Sequence, residues 1–147
     1  MYWLLRAEKL FSISKPDSFC DSSHCEECAE HNETLKNNCV KTIGIEELGN
    51  QGWDPICFCS EEGKLYYMPA LIRLSLETLG DEFYFEQFLF HLEYDGQDNE
   101  LYKACNEAQR IFIAQFIESM IENHAEEIER NFATDKVLQT YEIWSHT

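Results

Sequence analysis

The stretch Ile56-Cys57-Phe58-Cys59-Ser60-Glu61-Glu62-Gly63-Lys64-Leu65-Tyr66-Tyr67-Met68 decides how the rest of the chain is read. Its two ends, ICFC and LYYM, are short runs rich in β-prone residues. The SEEGK segment between them has the length and composition of a hairpin connection, with Gly63 suited to the left-handed position. The pattern predicts two strands flanking a tight turn. No other segment has β patterning bounded by turn residues, so this hairpin is the only β element expected.

Outward from it the signals are helical. Pro69 suits the first turn of a helix that runs to Leu79 and stops at Gly80. Asp81 is placed to cap a further helix, in which Phe85, Phe88, Leu89 and Leu92 follow the i, i+3, i+4, i+7 spacing of one buried face. Asn106 and Gln109 make a capping box for the longest helix, over 107–131, whose Ile113, Phe116, Ile117, Met120, Ile121 and Ile128 form an apolar stripe. Thr134 caps a last helix bearing Val137, Leu138, Tyr141 and Trp144. Towards the N-terminus, a helix over 2–11 leads into an irregular connection holding Pro16. Ser23 and Glu26 form a capping box for a helix over 24–36, ended by Asn37-Asn38, and Gly44, Gly49 and Gly52 mark a loop. The expected fold class is α+β, α-dominated: five or six helices around a small β-hairpin, in a single globular domain over 1–147.

The length of 147 residues is that of one domain, and 14% aromatic residues argue for a packed core despite the net charge of -17. With 28 Asp and Glu against 11 Lys and Arg, the protein's field repels phosphate backbones and anionic membranes. Direct nucleic-acid binding and membrane association are therefore not expected, and a basic protein surface is the partner the charge favours. The opening MYWLLRAEKLF is interrupted at once by Arg6, Glu8 and Lys9, so it reads as neither a signal peptide nor a membrane span. Seven cysteines are an odd number without the spacing of a short disulfide framework. A reducing cytoplasm is the expected compartment, with the thiols free or on a metal.

The richest chemistry lies in Cys20-Asp-Ser-Ser-His24-Cys25-Glu-Glu-Cys28-Ala-Glu-His31, with Cys39 beyond it. Thiolates and neutral imidazoles are the usual ligands of tetrahedral zinc, and two of them a helical turn apart can reach one ion. At about 1.5 Å rise per residue, His24 and His31 lie roughly 10 Å apart along a helix, so one ion cannot take all four helical residues. A complete site would use Cys25, Cys28 and His31, joined by Cys20 or Cys39, with His24 the remaining candidate. The alternative is plain packing: at about 100° per residue His24, Cys28, His31 and Leu35 share one face, which a core would bury.

Other candidates read as structure. Cys57 and Cys59 face one side of the expected strand, and His91 and His124 lie near apolar helix faces. Cys105, at the start of a helix, is placed for a lowered pKa. No nucleophile elbow, phosphate loop, dinucleotide fingerprint, zinc-protease helix or EF-hand is present, so no catalytic residue is assigned.

Read together, the blocks HCEECAEHNETL (24–35), GNQGWDPICF (49–58), YYMPALIRLSLE (66–77), FLFHL (88–92) and VLQTYEIW (137–144) resemble a family of short uncharacterised bacterial proteins, a domain of unknown function. The resemblance implies a bacterial origin and a complete single domain, and it assigns no functional residue.

In the expected long helix Glu118, Glu122, Glu126 and Glu129 form a row beside the apolar stripe, with no lysine interleaved. Such a row can steer a cationic partner. The reading that accounts for the charge and for the missing catalytic motifs is a small acidic binding module, of immunity or inhibitor type, docking on a basic protein surface. The alternatives are a zinc-binding domain built on residues 20–39 and a small enzyme with a dispersed site.

Overall fold

Ser60 begins a helix where the sequence predicts a turn. In the computed structural model, which describes residues 2–145, the Ser60 hydroxyl accepts a hydrogen bond from the Gly63 amide at 3.2 Å, the bond an N-cap serine makes to the third residue of a helix. Glu61 and Glu62 then sit in the first turn, where carboxylates favour the N-terminal end of the helix dipole. The segments that read as loop and second strand belong to one unbroken helix over Glu61–Glu77.

The hairpin expectation is therefore overturned, and with it the α+β class. Among the described residues there is no strand, and every regular element is helical. The physical reason lies in two places. Asp54 accepts a hydrogen bond from the Ile56 amide at 2.9 Å and Pro55 fixes the next φ, so ICF is wound into a 3₁₀ turn over Pro55–Phe58. LYYM alternates poorly because it lies in a helix buried on nearly every side: Tyr67, Met68, Ala70, Leu71 and Ile72 are all fully buried. A helix with no solvent face carries no 3.6-residue pattern. Pro69 sits inside this helix, leaving the carbonyl four residues earlier without its usual donor, rather than in its first turn. Gly63 is not left-handed either. Its role is clearance, because a Cβ there would run into the Cys59 sulfur and the Phe19 ring.

The helices are α1 (Tyr2–Leu10), α2 (Glu26–Lys36), α3 (Ile45–Leu48), α4 (Glu61–Glu77), α5 (Phe85–Glu93), α6 (Glu100–Ala104), α7 (Glu107–Asn123), α8 (Ala125–Arg130) and α9 (Thr134–Trp144). Three short 3₁₀ turns, Gln51–Trp53, Pro55–Phe58 and Gly96–Asp98, complete them. The chain divides into two compact units, residues 1–74 and 75–147.

In the first unit, long-range hydrogen bonds to α2 and its flanks fix the chain. The Asn32 amide oxygen accepts from the backbone amides of Phe19 and Cys20 at 2.8 and 3.0 Å, pinning the segment before α2 against that helix. Tyr67 donates its hydroxyl to the Leu35 carbonyl at 2.6 Å, and Arg73 reaches the carbonyls of Val40 and Ile43 at 3.0 and 2.7 Å. These bonds leave the end of α2 and the following loop with satisfied acceptors. Phe19 also packs against the rings of Tyr66 and Tyr67.

The second unit keeps closer to its sequence signals. The Asn106–Gln109 capping box is present, with both bonds at 2.8 Å. Phe85, Phe88 and Phe116 meet edge to face or tilted, and the Trp144 indole donates to the Leu92 carbonyl at 2.9 Å, tying α9 to α5. Three details differ from expectation, the first being that Thr134 does not cap α9 but is its first helical residue, after Ala133, with no side-chain cap. The expected helix over 107–131 breaks at His124 (φ -133°, ψ 30°), so α7 ends at Asn123 and equals α4 in length at 17 residues. Asp81 does not cap α5. Instead Phe83 and Tyr84 are buried, and the turn that buries them puts Glu82 and Phe83 at φ 65° and 46°, with the Tyr84 amide donating to Thr78 Oγ1 at 2.8 Å.

Candidate functional site

The local structure around Cys25 starts with Asp21. Its carboxylate accepts from the Ser23 amide at 3.1 Å and from the Ser23 hydroxyl at 2.6 Å, and the Asp21 carbonyl accepts from the His24 amide at 3.1 Å. Ser23 is thus consumed in a turn and is not the cap of α2. That role passes to Cys25, in extended backbone at φ -168°, ψ 172°, whose sulfur accepts from the Cys28 amide at 3.3 Å. The shift of the helix start by two residues takes His24 off the helix and folds it back over the first turn. His24 Nδ1 lies 3.5 Å from the Cys28 sulfur.

The result is a cluster of three metal-type donors. One ligand atom from each of His24, Cys25 and Cys28 lies within 4.8 Å of the others. With Zn–S near 2.3 Å and Zn–N near 2.0 Å, the ligand atoms of a tetrahedral zinc stand about 3.5 Å apart, so small side-chain rotations would suffice to close around an ion. His24 and Cys25 are exposed and Cys28 is buried, so the fourth direction faces solvent.

The electrostatics favour the thiolate at Cys25. The Cys28 amide, and after it the His24 ring, bring the Cys25 pKa down to about 7. In return the hydrogen bond and negative charge of Cys25 raise the pKa of His24. The Cys28 thiol is pushed up, first because its own hydrogen bond to Cys25 favours the protonated form and then by burial. One thiol is poised to ionise and its neighbour to stay protonated, a division that a cation would reverse by holding both as thiolates.

The remaining predicted ligands are placed elsewhere. His31 is fully buried, stacked on Phe58 at 4.8 Å and 14° and touching Trp53 at 4.6 Å, with Nε2 3.3 Å from the Glu27 carboxylate. Its Nδ1 is buried without a hydrogen-bond partner. Cys20 is buried, and that burial, followed by the charge of Cys28, raises its pKa to about 11. Cys39 comes after the far end of α2, a helix whose 11 residues span roughly 16 Å at 1.5 Å per residue. There its pKa is lowered, chiefly by the Thr42 hydroxyl. Burial raises Cys57 to about 11 and Cys105 to about 12. Cys105 is thus the opposite of the low-pKa thiol that its position before a helix implies.

Glu118, Glu122, Glu126 and Glu129 are all exposed, and none makes a salt bridge among the described residues. The break at His124 puts the first two on α7 and the last two on α8, so the row is not a single helical line.

Fold and site together define a helical acidic protein with a solvent-facing Cys-x2-Cys/His donor cluster. No helix among the described residues is long and apolar enough to cross a membrane. In comparisons with protein-family models, curated proteins and solved structures, nothing matches the chain. Those comparisons do not bear on the resemblance to the bacterial family.

Proposed function

We propose that the protein binds a zinc ion through His24, Cys25 and Cys28 and offers the fourth coordination position to solvent or to an exchanging ligand. The observation that carries this reading is the approach of the three donor atoms to within 4.8 Å of one another. Cysteine and histidine donors select zinc over harder cations. Asp21 and Glu27 are close enough to act on the charge at Cys28, which adds attraction for a cation. Three protein ligands with one open position make an exchangeable site rather than a closed structural one. A reducing cytoplasm, which keeps both thiols available, is the compartment that suits it. The test is titration of reduced, metal-free protein with zinc against a chromophoric chelator. Uptake of about one equivalent, lost in Cys28→Ser, is expected, and uptake unchanged by that substitution would refute the assignment.

A second reading concerns partners. Glu118, Glu122, Glu126 and Glu129 are exposed and unneutralised, in a chain with 28 acidic against 11 basic residues. This supports docking on a basic protein surface, in the manner of an inhibitor or immunity protein. Association with such a partner should weaken steeply as salt is added, and Glu122→Lys with Glu126→Lys should slow the on-rate more than it speeds dissociation. Affinity indifferent to ionic strength would exclude it.

A further inference from the structure

Cys25 and Cys28 flank Glu26-Glu27 at the start of α2, one sulfur exposed and the other buried, within 4.8 Å of each other. The extended backbone of Cys25 turns its sulfur back over the first helical turn, where it already accepts the Cys28 amide hydrogen. A disulfide requires an S–S separation near 2.05 Å and Cβ atoms about 4 Å apart. The two side chains start on the same side of the turn, so χ rotation brings them towards that geometry without reversing either one. Cys25 is an exposed residue open to a bimolecular reaction, whereas Cys28 is only 8% exposed and is the less accessible of the two.

We propose that Cys25 and Cys28 are a reversible dithiol–disulfide pair that exchanges with a cationic organic disulfide, Cys25 being the attacking and Cys28 the resolving sulfur. In the oxidising direction the Cys25 thiolate attacks one sulfur of R–S–S–R, forming a Cys25–S–S–R bond and expelling RS⁻, which takes a proton from water. Cys28 then gives up its thiol proton to water and its sulfur attacks the Cys25 sulfur, forming the Cys25–Cys28 bond and expelling the second RS⁻, which takes a proton in turn. Two electrons pass from the protein dithiol to the organic disulfide, which leaves as two thiols. The charge of the substrate is set by the net charge of -17 and by the exposed acidic residues Asp21 and Glu26 that stand close to Cys25 in the chain, which disfavour an anionic disulfide and favour a cationic one. The exchange uses two of the proposed zinc ligands but needs no metal, so the two readings can fail independently.

The experiment treats reduced protein, kept in chelator, with cystamine at low ionic strength, and maps the cysteines by alkylation and mass spectrometry. Wild type should lose two free thiols with a bond mapped to Cys25–Cys28. Cys28→Ala should stop at a cysteamine adduct on Cys25, and Cys25→Ser should take up none at Cys28. Circular dichroism of each variant verifies that it is folded. Anionic glutathione disulfide should react more slowly than cystamine, and added salt should narrow the difference. A persistent adduct on wild-type Cys25, a bond mapped to other cysteines, or equal rates with the two disulfides would overturn the proposal.

Discussion

The Cys28 amide donates a hydrogen bond to the Cys25 sulfur at 3.3 Å, so the side chain that caps α2 is also the exposed thiol of the donor cluster. Capping and ligation are therefore coupled through one atom. A metal held by that sulfur would act on the first turn of the helix, and a change at Cys25 has two separable consequences.

Replacement of Cys25 by Ser and by Ala separates them. Serine restores an oxygen cap but removes the thiolate, whereas alanine removes both. In metal-free protein Cys25→Ala should be less stable than Cys25→Ser by about 1 kcal/mol, the usual cost of losing an N-cap. Both should lose zinc uptake. Chemical denaturation with chelator present reads the first difference, and zinc titration the second. Equal stabilities would mean that the sulfur cap contributes nothing.

The reactivity of Cys25 should track pH with a midpoint near 7, against 9.0 for an ordinary thiol. The thiolate is the nucleophile, so alkylation in metal-free protein rises as pH passes this value. His24→Ala removes one of the groups that lower the pKa and should move the midpoint upward. The linkage has a definite sign. A thiol with a depressed folded pKa contributes stability that is full above the unfolded value near 9 and is lost as pH falls through about 7. His24 runs the other way: its contribution is full below 6.5 and is lost as pH rises through its raised folded value. A rate profile unchanged by His24→Ala would remove the imidazole from the account.

His31→Phe should leave zinc stoichiometry unchanged and hold or raise stability. The ring already stacks on Phe58, and its Nδ1 has no partner, so an apolar ring of similar shape removes a buried unsatisfied atom. The substitution loses the contact from Nε2 to the Glu27 carboxylate, which is itself more than a third exposed and stays hydrated. Thermal denaturation and metal content are the readouts. Loss of bound zinc would return His31 to the ligand set.

Gly63→Ala should destabilise the protein by about 1–3 kcal/mol, the range for overpacking a core. The added Cβ meets the Cys59 sulfur and the Phe19 ring, both buried and hemmed in. Urea denaturation checks it. A neutral result would mean that Cys59 and Phe19 move aside freely, and that Gly63 serves only the helix start.

The local sequence determined the elements whose signals are self-contained. Asn106 and Gln109 cap α7 through atoms three residues apart, Asn37 ends α2, and the spacing of Phe85, Phe88, Leu89 and Leu92 marks the buried face of α5. It also kept Cys25 and Cys28 together, three residues apart, although it joined them to His31 where the structure joins them to His24. Tertiary structure decided the rest. LYYM reads poorly as helix because the middle of α4 is buried on nearly every side, an environment that erases the periodicity by which helices are recognised. SEEG opens that helix because Ser60 caps it while its amide is held by the Phe19 carbonyl, a partner distant in sequence. One signal missed in the sequence is local as well: Asp21, two residues before Ser23, engages its amide and hydroxyl, so Ser23 does not cap α2. That turn goes with the later helix start and with His24 lying against Cys28, whereas the contacts of His31 with Phe58 and Trp53, distant in sequence, are tertiary.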